Sequence, residues 1–353
     1  MTVSQMSIDQ VAIETAARAL EGGALVAFPT ETVYGLGADA ANPAAVAAIY
    51  AAKGRPQDHP VIVHVAPGAP LSDWAADIPV EAEQLAAAFW PGPLTMILKR
   101  APGVPAAVSG GQDTIGLRCP AHPVAIALLQ AFKQGRGGLA APSANKFGHV
   151  SPTTAQHVRD EFGVDGGVAM VLDGGASEVG IESTIVDLSR LATHGPVLLR
   201  PGHIGVEAIA AVIGRPPATP AAPDSSAPRA SGTLDSHYAP RTPVALVAGA
   251  QLQVTLARLQ GAGRKVALIH YSDPSAEAGA PAAHAALRLA ATPGAYAQGL
   301  YAALRGLDAS GADLIVVETP PQEALWLGVN DRLRRAAHGS GGVIDGLLDG
   351  VGR

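Results

Sequence analysis

The apolar positions of this chain switch between two rhythms, and each switch predicts an element. Residues 8–21 set Ile8, Val11, Ile13 and Leu20 among alanines at helical spacing, and Gly22 and Gly23 end the pattern. The run "ALVAFPT" at 24–30 is short and almost wholly apolar, which predicts a buried strand. In "NPAAVAAIYAAKGR", Asn42 is the expected cap of a helix, Pro43 its first residue and Gly54 its break. "PVIVHV" at 60–65 reads as the next strand, residues 80–89 as a helix, and "WPGPLTMIL" as turn residues ahead of an apolar run. "TIGLRCP" predicts a short strand, "PVAIALLQAF" an apolar helix, and "GLAAPSAN" a strand running into a polar turn. "SPTTAQHVRDEFG" opens a helix for which Ser151 is the expected cap, with Pro152 behind it. "IESTIVDLS" and "PVLLRPG" close the region as strands, and the mixture predicts an α/β sheet with helices on its faces.

Residues 215–230 break the pattern, with five Pro and five Ala in "RPPATPAAPDSSAPRA", a composition that favours extended, weakly packed chain. Three domain ranges follow: 1–214, a linker over 215–242 that includes "SGTLDSHYAP", and 243–353. From 243, "PVALVAG", "RKVALIH" and "ADLIVVETP" read as three strands separated by helical segments, which predicts a smaller Rossmann-like parallel sheet. No G-x-G-x-x-G follows its first strand, so dinucleotide binding is not expected there.

Composition narrows the function classes. Hydrophobic residues make up 48% of 353 and charged residues 15%, which suits a folded two-domain chain. No apolar run has the length of a membrane helix, and residues 1–10 lack a signal-peptide pattern, so a cytoplasmic protein is expected. Cys119, the single cysteine, reads as a small core residue, and no Cys/His cluster has zinc spacing. Residues 1–214 carry 12 Lys+Arg against 19 Asp+Glu (12 − 19 = −7) and residues 215–353 carry 12 against 11 (12 − 11 = +1). Neither half has the clustered basic residues of a non-specific nucleic-acid binder.

The polar residues of chemical interest gather at predicted strand ends and turns, where open α/β sheets bind ligands. "PTETVYGLG" sets Thr30, Glu31, Thr32 and Tyr34 after a buried strand, and reads equally as an ordinary strand-to-helix turn. In "KGRPQDHPVIVHV", Lys53 and Arg55 flank a glycine; they suit either a polyphosphate clamp or a solvated helix end. His64 lies within a strand, where a structural role competes with a catalytic one. Arg118 interrupts an apolar strand and requires either an anionic ligand or an acidic neighbour. Ser143, Asn145, Ser151 and Ser183 in "PSANKFGHVSPT" and "GIESTIVD" offer further donors and acceptors. Phosphate-loop, nucleophile-elbow, kinase and H-E-x-x-H motifs do not occur.

Taken in order, "FPTETVYGLG", "KGRPQDHPVIVHV", "WPGPLT", "IGLRCP", "PSAN", "ESTIVD" and "LLRPG" closely resemble the YrdC-like fold of threonylcarbamoyl-AMP synthases over about residues 8–214. The linker, "SGTLDSHYAP" and "LGVNDRLRRAA" resemble the long, two-domain form. The resemblance implies a twisted mixed YrdC-like sheet followed by the Rossmann-like domain. It also implies synthesis of threonylcarbamoyl-AMP and pyrophosphate from L-threonine, bicarbonate or CO2 and ATP, for modification of tRNA by a separate transferase complex. Matched residue by residue, it implies ATP contacts from Lys53, Arg55, His59, Thr114, Ser143, Asn145, Ser151, Arg200 and Tyr238. Threonine contacts would come from Thr32, His64, Arg118, the Ala141 backbone and Ser183.

Position 59 holds a histidine where the family pattern suggests asparagine, and the segment after the linker begins "ASG" where many relatives begin "SPG". With no strong general base in these motifs, catalysis is assigned to positioning and to charge neutralisation by Lys53, Arg55, Arg200 and Mg2+, the expected cofactor entering with ATP. No protein side chain is assigned to the metal. "SGTLDSHYAP" is expected to fold over the nucleotide site, with Tyr238 meeting ATP. Two rival readings stand beside this one, an RNA-binding module taking double-stranded RNA or tRNA and a carbamoyl-transfer domain.

Overall fold

The computed structural model describes residues 8–219, 227–272 and 283–349. Residues 1–7 of the N-terminal segment and 220–226 of the expected linker lie outside them. The described residues fall into two compact units, one within 1–147 and 151–233, the other within 148–150 and 234–353. Residues 227–233 of the expected linker therefore belong to the first unit, and residues 234–242 to the second.

The first unit contains, in chain order, α1 (Gln10–Glu21), β1 (Leu25–Phe28), β2 (Gly35–Asp39), α2 (Pro43–Lys53), β3 (Ile62–Val65), β4 (Ala75–Ala76), α3 (Val80–Phe89), β5 (Leu94–Arg100) and β6 (Thr114–Arg118). It continues with α4 (Pro123–Ala131), β7 (Gly138–Ala140), α5 (Ala155–Phe162), β8 (Val168–Val171), β9 (Thr184–Asp187), α6 (Leu191–His194), β10 (Val197–Arg200) and α7 (Val206–Ile213). Its strands form one mixed sheet in the order β10-β9-β5-β6-β3-β7-β2-β1-β8, with β4 paired to β5. One apolar cluster joins α2, Leu85 of α3 and the sheet, and another packs Ile13 and Leu20 of α1 and Leu128 of α4 against Val26 and Phe28.

Local chemistry explains why the site-bearing elements end where they do. The Asn42 side chain accepts hydrogen bonds from the Ala44 and Ala45 amides, and Gly54 ends α2 at φ 63, a left-handed conformation that costs glycine little. That stop leaves Lys53 in the last helical turn and Arg55 just beyond it.

Two elements near the site differ from the sequence expectation. "PTETVYGLG" runs into a strand, β2, which returns antiparallel to β1 with Val26 opposite Gly37 and Phe28 opposite Gly35. Gly37 is dictated by that pairing, since a Cβ there would lie 2.8 Å from the Phe28 ring and 3.2 Å from the Val26 carbonyl. The helix after "SPTT" starts at Ala155, capped by Thr154, whose Oγ1 accepts from the His157 amide at 3.2 Å. Ser151 is not the cap, because its hydroxyl donates to Glu182 Oε1 at 2.6 Å.

The second unit contains β11 (Val244–Val247), α8 (Gly249–Gly261), β12 (Val266–His270), β13 (Ala285–Arg288), α9 (Pro293–Asp308), β14 (Leu314–Glu318), α10 (Leu327–Ala336) and α11 (Val343–Leu348). Its sheet is wholly parallel, in the order β11-β14-β12-β13. The fourth strand, β13, escapes sequence reading because it is only four residues long and mostly exposed. No described helix is long and apolar enough to cross a membrane.

The tightest backbone approach in the first sheet yields a stability test. A Cβ on Gly138 of β7 would lie 2.4 Å from the Trp74 ring and 2.6 Å from Val63 Cγ1, whereas one on Gly103 would meet nothing within 4 Å. Gly138→Ala should lower unfolding free energy by about 1–3 kcal/mol and Gly103→Ala should stay within about 0.5 kcal/mol of wild type, read by urea denaturation. Equal effects would show that the Trp74 contact does not constrain β7.

Candidate active site

Four cationic side chains in the first unit are almost sealed from water: Lys53 is 2% exposed, Arg55 7%, Arg118 4% and Arg200 3%. Burying a charge is costly unless hydrogen bonds or counter-charges replace the lost water. The partners of these four residues therefore define the site.

Lys53 is held by carbonyls. Its Nζ donates to Ser143 O at 2.6 Å and to Asn145 O, and it makes no ion pair among the described residues. The "PSAN" turn that supplies both carbonyls is fixed to β2 by a bridge between Gly35 and Ser143 and by the Ala144 amide bonding Tyr34 O at 2.8 Å. An ammonium has three donors, so one remains for a ligand. Burial, and then the nearby Arg55 charge, hold the Lys53 pKa well below that of an ordinary lysine. Ser143 is half-buried, and its hydroxyl has no partner among the described residues.

Arg55 and Arg200 meet at Ser231. Arg55 Nη2 donates to Pro60 O at 2.8 Å and to Ser231 Oγ at 3.4 Å, and Arg200 Nη1 donates to Ser231 O at 2.8 Å. Arg200 also reaches Ser183, with Nε on its carbonyl and Nη2 on its hydroxyl, both at 3.0 Å. Ser183 Oγ in turn lies 2.8 Å from Thr95 Oγ1. Beside these bonds, Thr114 lines a small cleft with Ile62, Ile97, Ile185, Ala230 and Ser231. The first part of the expected lid is thus laid on the arginines within the first unit.

Arg118 resolves one of the alternatives left by the sequence, because the structure supplies an acidic neighbour. Arg118 Nη2 and Glu31 Oε1 are 2.6 Å apart, both side chains being buried, and Arg118 Nε donates to Gly92 O at 3.3 Å. Strand pairing sets His64 beside Arg118. The His64 ring is buried, its Nδ1 has no partner among the described residues, and burial followed by the Arg118 charge pushes its pKa down to about 3, so it is neutral near pH 7. Thr32, also fully buried, has its Oγ1 2.8 Å from Thr30 Oγ1. Thr30 spends its own proton on Val33 O at 2.6 Å, so Thr32 must be the donor of that pair and offers a ligand only lone pairs. The Ala141 amide is committed to Ile62 O at 3.0 Å, which leaves its carbonyl as the group a ligand can meet.

The remaining expected residues are placed as follows. Asn145 Nδ2 donates to Lys146 O, and Ser151 donates to Glu182. His59 packs edge-on against Phe147, with its pKa lowered by partial burial and then by Arg55. Tyr238 belongs to the second unit, where it is 1% exposed at φ 61, 5.7 Å from the Tyr301 ring and 5.4 Å below the Arg332 guanidinium. Sequence reading missed the partners, namely Glu31, Glu182 and Thr95. All three sit within motifs it had singled out, "PTETVYGLG", "GIESTIVD" and "WPGPLT", but their partners Arg118, Ser151 and Ser183 are distant in sequence.

His64 gives this site a pH signature. A group whose folded pKa is about 3 against 6.5 when free binds fewer protons folded than unfolded between those values, so stability falls as pH drops through that window. His64→Gln should lose less stability than wild type on going from pH 7 to pH 4, measured by urea denaturation at both values. An identical pH dependence in the two proteins would contradict a neutral, desolvated His64.

Comparison with known proteins bears on this arrangement. A family model described as "Telomere recombination" matches residues 18–202, and one described as "Threonylcarbamoyl-AMP synthase, C-terminal domain" matches residues 204–338. A threonylcarbamoyl-AMP synthase of Pyrococcus abyssi is 40% identical over 338 residues, covering 94% of this chain and 95% of the relative. One from Bacillus subtilis is 39% identical, covering 95% of each. The crystal structure of P. abyssi Sua5 complexed with L-threonine superposes with a TM-score of 0.85 at 39% identity, covering 94% of this chain and 95% of that one. The ordered motifs, the two-unit fold and full-length similarity agree, and the chain belongs to the threonylcarbamoyl-AMP synthase family.

Proposed function

We propose that the first unit forms L-threonylcarbamoyl-AMP and pyrophosphate from L-threonine, bicarbonate or CO2, and ATP. The observation that carries this reading is the set of four buried cations, of which Lys53 is held by backbone carbonyls with no ion pair among the described residues. Such groups orient a cation without neutralising it, which suits a site that receives a polyanion. The P. abyssi structure with bound L-threonine supports an amino-acid subsite in the same fold.

Two subsites are assigned. ATP is assigned to Lys53, Arg55, Ser143, Asn145, Ser151 and Arg200, with Thr114 and His59 at its edges. Threonine is assigned to Arg118, Thr32, His64, Ser183 and the Ala141 carbonyl. The Arg118 Nη1 edge takes the carboxylate, and the Ala141 carbonyl accepts from the ammonium. The lone pairs of Thr32 and the open Nδ1 of His64 suit the substrate hydroxyl. An analogue without that hydroxyl would leave these groups unpaired, which is a basis for rejecting it.

The chemistry then runs in two steps. The threonine ammonium gives up a proton to solvent, and the amine forms a bond to the carbon of CO2 as one C–O π bond opens; a second proton leaves the nitrogen to solvent, which gives the carbamate. A carbamate oxygen next bonds to the α-phosphorus of ATP while the bond to the α–β bridging oxygen breaks, and pyrophosphate leaves. Lys53 and Arg55 are the catalytic residues, because they neutralise charge on the transferring phosphate, and Arg200 holds the nucleotide against the amino-acid subsite. Mg2+ is proposed to enter with ATP, carried by the phosphates and water, where it would supply further charge neutralisation. The setting proposed is the cytoplasm, where a separate tRNA threonylcarbamoyl-transferase complex would consume the product.

Two measurements test this reading. Lys53→Ala and Arg55→Ala should each slow pyrophosphate release at least ~100-fold, the scale of losing one transition-state donor, and near-normal turnover in both would overturn the assignment. Because burial, and then the Arg55 charge, lower the Lys53 pKa, bound phosphates should raise it again. NMR titration of the lysine Nζ groups, with Lys53→Met to assign the signal, should give a higher Lys53 pKa with ATP bound than without it. An unchanged or lower pKa on ATP binding would contradict the assignment of Lys53 to the phosphates.

A further inference from the structure

Arg118 reaches any ligand already half-occupied, and the occupant is an acid to which nothing so far assigns a function. Glu31 uses both carboxylate oxygens: Oε1 takes Arg118 Nη2 at 2.6 Å, and Oε2 accepts the Ala121 amide at 3.0 Å. Gly92 O holds Arg118 Nε at 3.3 Å. The guanidinium is planar and presents its donors in a fixed fork, so two acceptors on one edge set the direction of the other. That other edge, Nη1, has no partner among the described residues.

The geometry points to Glu31 as a positioning residue for carboxylate recognition: it fixes the Arg118 fork so that Nη1 is presented to the α-carboxylate of the amino-acid substrate. This rests on the proposed function above and names one part of its specificity. Glu31 is placed for the task by the turn between β1 and β2. Thr30 Oγ1 accepts from the Val33 amide at 3.2 Å and donates to its carbonyl, and Glu31 O accepts the Val179 amide at 2.7 Å, so the backbone carrying the carboxylate is tied on both sides. The Ala121 bond anchors the same carboxylate to the segment that follows β6, the strand bearing Arg118. An arginine freed from Glu31 would keep its charge but lose its direction, and it would also be a buried cation lacking its counter-charge. Recognition of a planar carboxylate depends on direction as well as charge.

The test separates positioning from mere folding by comparing two substrates. In the full chain, kcat/KM is measured for L-threonine and for L-threonine amide, which keeps the ammonium and the hydroxyl but carries no anionic carboxylate. Wild type should prefer threonine strongly. Glu31→Gln should raise the threonine KM at least ~10-fold, leave the ATP KM within about twofold, and reduce the threonine-to-amide preference at least ~10-fold. Glu31→Asp, which keeps the charge, should recover part of that preference and serves as a second variant if the first folds poorly. In an Arg118→Ala background the preference should already be lost, and Glu31→Gln should lower it no further, as coupled sites require. Equal losses for threonine and its amide in both Glu31 variants would overturn the inference, as would a wild-type threonine KM in Glu31→Gln. If wild type shows no threonine-dependent turnover, the proposed function itself fails, an outcome distinct from failure of the Glu31 role.

Discussion

The buried ion pair between Glu31 and Arg118 is the interaction on which the first unit's arrangement depends. A guanidinium inside a sheet needs an anion, and here the anion comes from the turn after β1, reaching across to β6. That contact ties the turn between β1 and β2 to β6, where strand pairing sets His64 beside Arg118. Glu31 also accepts from Ala121, just before α4, so helix, turn and strand share one carboxylate. Removing one partner of such a pair typically costs about 3–5 kcal/mol, a large part of a domain's net stability.

Lys53 shows the opposite solution to the same constraint. Its ammonium lies among backbone carbonyls, which satisfy hydrogen bonds but bring no countercharge, so burial depresses its pKa. The surroundings of Arg118 and Lys53 therefore differ in electrostatic character. The Arg118 side is already balanced by an acid, while the Lys53 side gains most from an incoming polyanion. Ser183 accepts from Arg200 and lies within hydrogen-bond distance of Thr95. A ligand spanning both would put its carboxylate on the balanced side and its phosphates on the other.

Much of this was legible in the sequence because local chemistry agreed with the fold. Asn42, Pro43 and Gly54 marked α2 so well that the position of Lys53 followed from them, and the apolar runs around His64 and Arg118 gave β3 and β6. The misses have physical causes. β2 is rich in glycine because Phe28 presses on it, so its composition resembled a turn. Ser151 looked like a helix cap until Glu182, 31 residues away, claimed its hydroxyl. Glu31 lay within a motif already singled out, yet its partner is 87 residues distant, and no local spacing predicts such a pair. The motifs gave the residues, and the long-range pairing gave their roles.

The central claim is that this site joins threonine, a one-carbon unit and ATP in one product. The most direct measurement is mass-spectrometric detection of threonylcarbamoyl-AMP in a complete reaction, with threonine, bicarbonate and ATP omitted in turn and serine substituted for threonine. The account predicts the product only when all three substrates are present, in molar balance with pyrophosphate, and much less product of the serine reaction. Release of ADP and phosphate without the carbamoylated nucleotide would contradict it, and so would equal use of serine.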